Sequence, residues 1–142
     1  MRVLLPIDGS PCSRHAVEHV IATRVLLRDP EAQEIHLVNV QPAVSGDVSQ
    51  FVNADQIAGY HREESAKALA EAGALLEAAG LKVTIHTVVG HAAEEIAKLA
   101  DKLKCDQIVM GTHGRGALAE LLVGSTTLRV VHRSKVPVLL VK

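Results

Sequence analysis

A chain of 142 residues with a formal net charge of -1 suits one compact domain, and its 48% apolar content supports an independent core. One Phe, one Tyr and no Trp make that core aliphatic and exclude an aromatic stacking platform for single-stranded nucleic acid, while interspersed charges offer no basic stripe for DNA or RNA. Cys12 and Cys105 form no metal or redox spacing, no apolar run reaches membrane-spanning length, and the opening MRVLLPID lacks the apolar region of a signal peptide, so the expectation is a soluble, cytoplasmic protein with no membrane partner.

RVLLPID (2–8) predicts a first strand, ended by Asp8-Gly9-Ser10. Ser10-Pro11 reads as an N-cap followed by proline at the first helical position, and Val17, Val20 and Ile21 recur at helical spacing in a helix that Pro30 stops. EIHLVNV (34–40) predicts a second strand, and QPAVSGDVSQ (41–50) a loop. A long helix follows from about Asn53 to Ala79, with Ala66, Leu69, Ala70 and Leu76 on one face and Gly80 as its stop. KVTIHTVV (82–89) is the third strand. AEEIAKLADKL (93–103) spaces Ile96, Leu99, Ala100 and Leu103 as a helix face, with Glu94 and Glu95 at its positive end. CDQIVMG (105–111) is the fourth strand, a last helix ends near Arg133, and VPVLLVK (136–142) is the fifth strand.

Alternating strands and helices predict an α/β fold over residues 1–142 as a single domain: an open five-stranded parallel sheet of order 3-2-1-4-5 with helices on both faces. In that order strands 1 and 4 lie side by side where the winding reverses, and ligands bind beyond the carboxyl ends of strands at such a point. Asp8-Gly9-Ser10 ends strand 1, and GTHGRGALAELLVGSTT (111–127) follows strand 4. This second stretch holds four glycines, a helix-like ALAELL, and Gly-Ser-Thr opening a fresh helix. Exposed backbone N–H groups and a helix N-terminus form an anion site, to which Ser125, Thr126, His113 and Arg115 add donors. On chemistry alone the glycines serve equally well as turn residues, and Arg115 either meets phosphate or is solvated. Neither G-x-x-x-x-G-K-[ST] nor G-x-G-x-x-G is matched.

The pattern Gly111-x-x-Gly114, nine residues, then Gly124-Ser125 resembles the G-2x-G-9x-G-[ST] motif of the universal stress protein family, and LLPIDGSPCSRHAV resembles that family's opening segment. The resemblance covers the whole chain. It implies the ATP-binding branch, with phosphates on Gly111, His113, Gly114, Gly124, Ser125 and Thr126. It further implies Asp8 near ribose or a phosphate-bound Mg²⁺, Pro6 two residues before it, backbone of Val40 at the adenine, and Met110 lining the pocket. It also implies a homodimer through the fifth strand, Val136–Val141, which the order 3-2-1-4-5 leaves as an aliphatic sheet edge.

N-capping accounts for Ser10 without a nucleophile's role. His15 and His19 stand one helical turn apart, a zinc spacing without an evident third ligand; Cys12, in a first helical turn, reads as a redox-sensitive thiol or a small packed residue. No catalytic lysine or base accompanies Asp8. The functional expectation is therefore an ATP-binding regulatory protein of the stress response. The alternatives are a slow ATPase or nucleotide-dependent transferase, and an interaction module with a vestigial pocket.

Overall fold

The computed structural model describes residues 1–43, 54–114 and 123–142. Five strands, β1 (Arg2–Pro6), β2 (Glu34–Gln41), β3 (Lys82–Val89), β4 (Gln107–Gly111) and β5 (Val138–Val141), form one sheet of order β3-β2-β1-β4-β5, and all neighbouring pairs run parallel. Among the described residues the α-helices are α1 (Pro11–Thr23), α2 (Ala54–Ala78), α3 (Ala92–Lys102) and α4 (Ser125–Arg133). No helix among them is long and apolar enough to cross a membrane. The expected ALAELL helix and most of the loop 41–50 lie outside the described residues.

The two-residue period of the strands divides the core into two layers. Val3, Leu5, Ile7, Ile35 and Leu37 pack with Ala16, Val17 and Val20 of α1 and with Leu69 and Leu76 of α2. Leu4, Val38, Ile108 and Met110 point the other way, onto Ala93, Ile96 and Ala100 of α3 and Val130 of α4. With both faces covered, β1 and β4 read as unbroken aliphatic runs. Each fully buried Leu contributes about 1.5–3 kcal/mol, and Leu4, Leu5 and Leu37 are all fully buried.

Two helices depart from expectation. α1 ends at Thr23, well before Pro30. The chain there enters a short 3₁₀ turn, Arg24–Leu26, fixed by the Arg24 guanidinium, which donates to Ala79 O at 2.8 Å and to Glu31 Oε1 at 2.6 Å. Pro30 instead opens a second 3₁₀ turn, in which Asp29 accepts from Ala32 N. In α2, Leu69 and Leu76 are buried as expected, but Ala66 and Ala70 face solvent; the buried stripe runs through His61, Ser65, Ala68, Leu69, Ala72 and Leu76. Ser65 belongs there because its hydroxyl donates to Asn39 Oδ1 on β2 at 2.8 Å. The end of α2 is as expected, with Gly80 N bonded to Glu77 O and Leu81 N to Leu76 O.

On the α3/α4 face, His36 Nδ1 of β2 and His86 Nε2 of β3 lie 3.1 Å apart. Burial is the first cause pushing both imidazoles below the ordinary histidine value; Glu34 opposes it at His36, whereas His36 and Lys102 reinforce it at His86. The unfolded chain therefore binds more protons than the folded one as pH falls through the unfolded value of about 6.5. This contribution to stability is complete above that pH and is lost below it. Denaturant midpoints measured from about pH 7.5 to about pH 5 are expected to fall, and to fall less in His86→Gln. The same slope in the two proteins would contradict the assignment.

Candidate functional site

The site is assembled where β1 and β4 pair, with Val3 opposite Gln107 and Leu4 opposite Ile108. Beyond Pro6 the chain must turn sharply from strand into helix. Asp8 Oδ1 accepts from Ser10 N at 3.0 Å, and Gly9 takes φ +79°. Ser10 then caps α1, accepting from Ser13 N at 3.2 Å, while Ser13 Oγ donates back to Ser10 O at 2.8 Å. Pro11 follows at the first helical position. The N-cap reading of Ser10 thus holds.

The first turn of α1 lands against the last residue of β4. A β-carbon on Gly111 would lie 2.6 Å from the carbonyl carbon and oxygen of Cys12, a distance backbone cannot yield. The missing side chain of Gly111 therefore serves helix packing, a role its spacing in the sequence did not show. A β-carbon on Gly114 would lie 2.6 Å from Asp8 Oδ2, so this glycine makes room for the carboxylate. One on Gly124 would only touch Thr112 O, at 3.4 Å, and His113 Cα.

Three hydrogen bonds organise the ends of the glycine stretch, and the last two join one end to the other. Thr112 N donates to Val141 O of β5 at 3.0 Å, Gly124 N to Thr112 O at 2.8 Å, and Thr127 Oγ1 to Gly111 O at 3.2 Å. They hold the N-terminus of α4 beside the carboxyl end of β4. Gly124, at the N-cap, has extended backbone (φ -69°, ψ 153°) and no side chain to satisfy the first-turn N–H groups.

The result is a cavity of about 430 Å³, within the range of small-molecule sites. Part of its lining is apolar: Val38 and Val40 of β2, Ala92 and Ile96 of α3, and Met110 of β4. Another part is polar: Asp8, His113, Gly114 and the first turn of α4 with Ser125 and Thr126. The structure therefore gathers Pro6, Asp8, Val40, Met110, Gly111, His113, Gly114, Gly124, Ser125 and Thr126 around one space. Arg115 lies outside the described residues.

Sequence reasoning missed Ile7, Ser13, Val38, Asn39, Ala92, Ile96 and Thr127, which also line it. Most are indistinguishable from core residues by pattern. Asn39 did carry a signal, as a polar residue near the end of a buried aliphatic strand. Its Nδ2 donates to Ile7 O at 2.7 Å, and its Oδ1 accepts from Ser65 Oγ and Gln41 Nε2. It ties the ends of β1 and β2 to α2, and breaking a buried network of this kind costs about 1–3 kcal/mol.

No group of three or more His, Cys, Asp or Glu side chains able to hold a metal gathers among the described residues, and the His15–His19 pair gains no third ligand there. Cys12 is partly exposed, and Cys105 is buried with its thiol pushed up by burial.

The three glycines should behave differently on substitution. Gly111→Ala forces backbone apart and is expected to cost about 1–3 kcal/mol in denaturant unfolding. Gly124→Ala, in ordinary contact, is expected to stay close to wild type, with Gly114→Ala between them as Asp8 shifts. Equal stabilities for Gly111→Ala and Gly124→Ala would contradict the packing role.

The model of the family described as "Universal stress protein family" matches residues 1–142. Universal stress protein MJ0531 of Methanocaldococcus jannaschii is 34% identical, over 99% of this chain and 81% of its own length. Universal stress protein MJ0577 of the same organism is 32% identical, over 99% and 94%, and the solved MJ0577 structure superposes with a TM-score of 0.84, covering 99% of this chain and 94% of that one. A universal stress protein crystallised in complex with cAMP is 25% identical, with a TM-score of 0.71 over 100% of this chain and 97% of its own. The chain belongs to the universal stress protein family.

Proposed function

We infer that the cavity holds an adenine nucleotide, ATP with Mg²⁺ ahead of ADP or AMP, and that its occupancy regulates a cytoplasmic stress-response protein rather than feeding rapid catalysis. One observation carries the reading: an uncapped helix N-terminus and a set of apolar side chains line a single cavity at the β1–β4 switch point. The apolar part suits a planar base, received by Val40 backbone and Met110. The polar part suits phosphates, received by Gly114 and Gly124 backbone, the Ser125 and Thr126 hydroxyls, His113 and the neighbouring Gly111. Pro6 shapes the wall beside Asp8. A family member 25% identical to this chain carries cAMP, which supports the same chemistry here.

Magnitudes argue for the metal. A carboxylate about 4 Å from a phosphate charge is repelled by about 4 kcal/mol at an effective dielectric of 20. A helix N-terminus returns only about 0.3–2 kcal/mol. One carboxylate plus phosphate oxygens and water is a set Mg²⁺ accepts, so Asp8 beside bound phosphate suits that ion. When bound, Mg²⁺ would supply charge neutralisation between Asp8 and the phosphates.

Among the described residues lining the cavity, Asp8 is the only carboxylate, His113 the only histidine, and none is a lysine or arginine. Phosphoryl transfer also needs cationic stabilisation and a positioned nucleophile. Slow hydrolysis is accordingly the second reading.

The same proposal includes a homodimer. β5 lies at the sheet edge, its four side chains all partly exposed, and Leu128 and Val131 of α4 are 46% and 45% exposed. An aliphatic edge of this kind is a template for pairing, and a two-fold axis places two β5 strands antiparallel.

Two measurements test these readings. Calorimetry is expected to show ATP binding that Gly124→Val abolishes with the fold retained, because its side chain occupies the phosphate approach. Asp8→Asn should weaken Mg-ATP more than ATP in EDTA. Unchanged affinity in Gly124→Val would refute the site, and equal weakening with and without Mg²⁺ would refute the metal role. Light scattering is expected to show a dimer that Leu140→Lys weakens by placing a charge on the apolar edge. A wild-type particle of 15.1 kDa would contradict it.

A further inference from the structure

Outside the cavity lining, the α3/α4 face of the sheet brings together His36 of β2 and His86 of β3. We propose that these two histidines form a binding site for a late first-row divalent cation, Cu²⁺ above Ni²⁺ and Zn²⁺, completed by water.

Geometry carries the proposal. The facing atoms, His36 Nδ1 and His86 Nε2, are 3.1 Å apart. Two imidazole nitrogens bound to one metal at about 2.05 Å stand 3.1 Å apart when the N–metal–N angle is about 98°, between the octahedral and tetrahedral values. The separation already equals a chelating bite, and each ring has only to tilt by about 40° for its lone pair to leave the N···N line and meet a common centre. The ring planes are inclined by 38° to one another, with centroids 5.3 Å apart.

The frame holding these atoms is rigid. His86 pairs in register with Val38, and His36 with Thr84, inside an eight-residue parallel ladder between β2 and β3. Donors presented by paired strands keep their spacing better than donors on loops. Both side chains are half-buried, so one side of the pair remains open to water.

The protons balance without release. In the present pair one imidazole donates its N–H and the other accepts, so one facing nitrogen already has a lone pair. The donating ring adopts the other tautomer, moving its proton to its outer nitrogen, and both facing nitrogens then bind metal as neutral ligands.

Charges near the pair are mixed. Glu34 favours a cation close to His36, whereas Arg2, which donates to Glu34 at 2.7 Å, and Lys102 near His86 oppose one. No third His, Cys, Asp or Glu completes a protein cage among the described residues. Two imidazoles with water select by the intrinsic order of divalent affinities, which peaks at Cu²⁺. The bound ion would cross-link edge strand β3 to β2.

The test uses the whole chain with Cu²⁺ or Zn²⁺ as probe. Calorimetry should show one metal per chain, and binding should disappear in His36→Gln and in His86→Gln while persisting in His15→Gln, which breaks the competing pair on α1. Zn²⁺ should raise the melting temperature of wild type and of His15→Gln, but not of His36→Gln or His86→Gln. The Cu²⁺ electron paramagnetic resonance spectrum of wild type should show splitting from two imidazole nitrogens, a readout that does not depend on how well the variants fold. Binding unchanged in both β-strand variants, binding lost in His15→Gln, or a spectrum with fewer than two imidazole nitrogens would each overturn the proposal.

Discussion

The backbone contact between Gly111 and Cys12 is the constraint on which the site depends. A β-carbon at Gly111 would sit 2.6 Å from main-chain atoms, and an overpacked backbone contact of that kind costs about 1–3 kcal/mol. The individual hydrogen bonds that organise the loop ends contribute only about 0.5–1.5 kcal/mol each. Without the glycine, no single one of them would restore the approach of α1 to β4. With it, the first turn of α1 lies on the end of β4, Thr127 reaches Gly111 O, and Gly124 closes on Thr112 O. The starts of α1 and α4 are thereby fixed at the same end of the sheet, with the cavity between the strand ends and α4.

The same constraint accounts for the division of labour among the glycines. The spacing that resembles a nucleotide motif combines three separate physical demands: helix packing at Gly111, space for a carboxylate at Gly114, and an uncapped helix start at Gly124. In the inferred reading, phosphate exploits the last of these most directly. Asp8 is built into the first turn through its bond to Ser10 N, so the residue that shapes the turn is also one that lines the polar part of the cavity.

The strand order was legible because aliphatic runs alternate with amphipathic ones, and a parallel sheet covered on both faces leaves few other windings. Asp8 and the glycine stretch were legible because they interrupt that pattern at strand ends. What escaped was tertiary in origin. Pro30 is the strongest local breaker after α1, yet Arg24 ends the helix earlier by reaching across to Ala79 O. Alanines at helical spacing suggested one face of α2, yet the bond between Ser65 and Asn39 rotates the buried stripe onto polar residues. Val38, Ala92 and Ile96 wall the cavity with side chains that any core would use. Gly111 was placed correctly at the switch point, but its reason, a contact with residue 12, is invisible to spacing.

Amide chemical shifts of the ¹⁵N-labelled protein, recorded as Mg-ATP is added, test the central claim most directly because they report both binding and its place. The account predicts shifts concentrated at the carboxyl ends of β1 and β4 and in the first turn of α4, from Ser125 to Thr127, with the outer faces of the helices unchanged. Shifts centred elsewhere, or none at millimolar nucleotide, would contradict it.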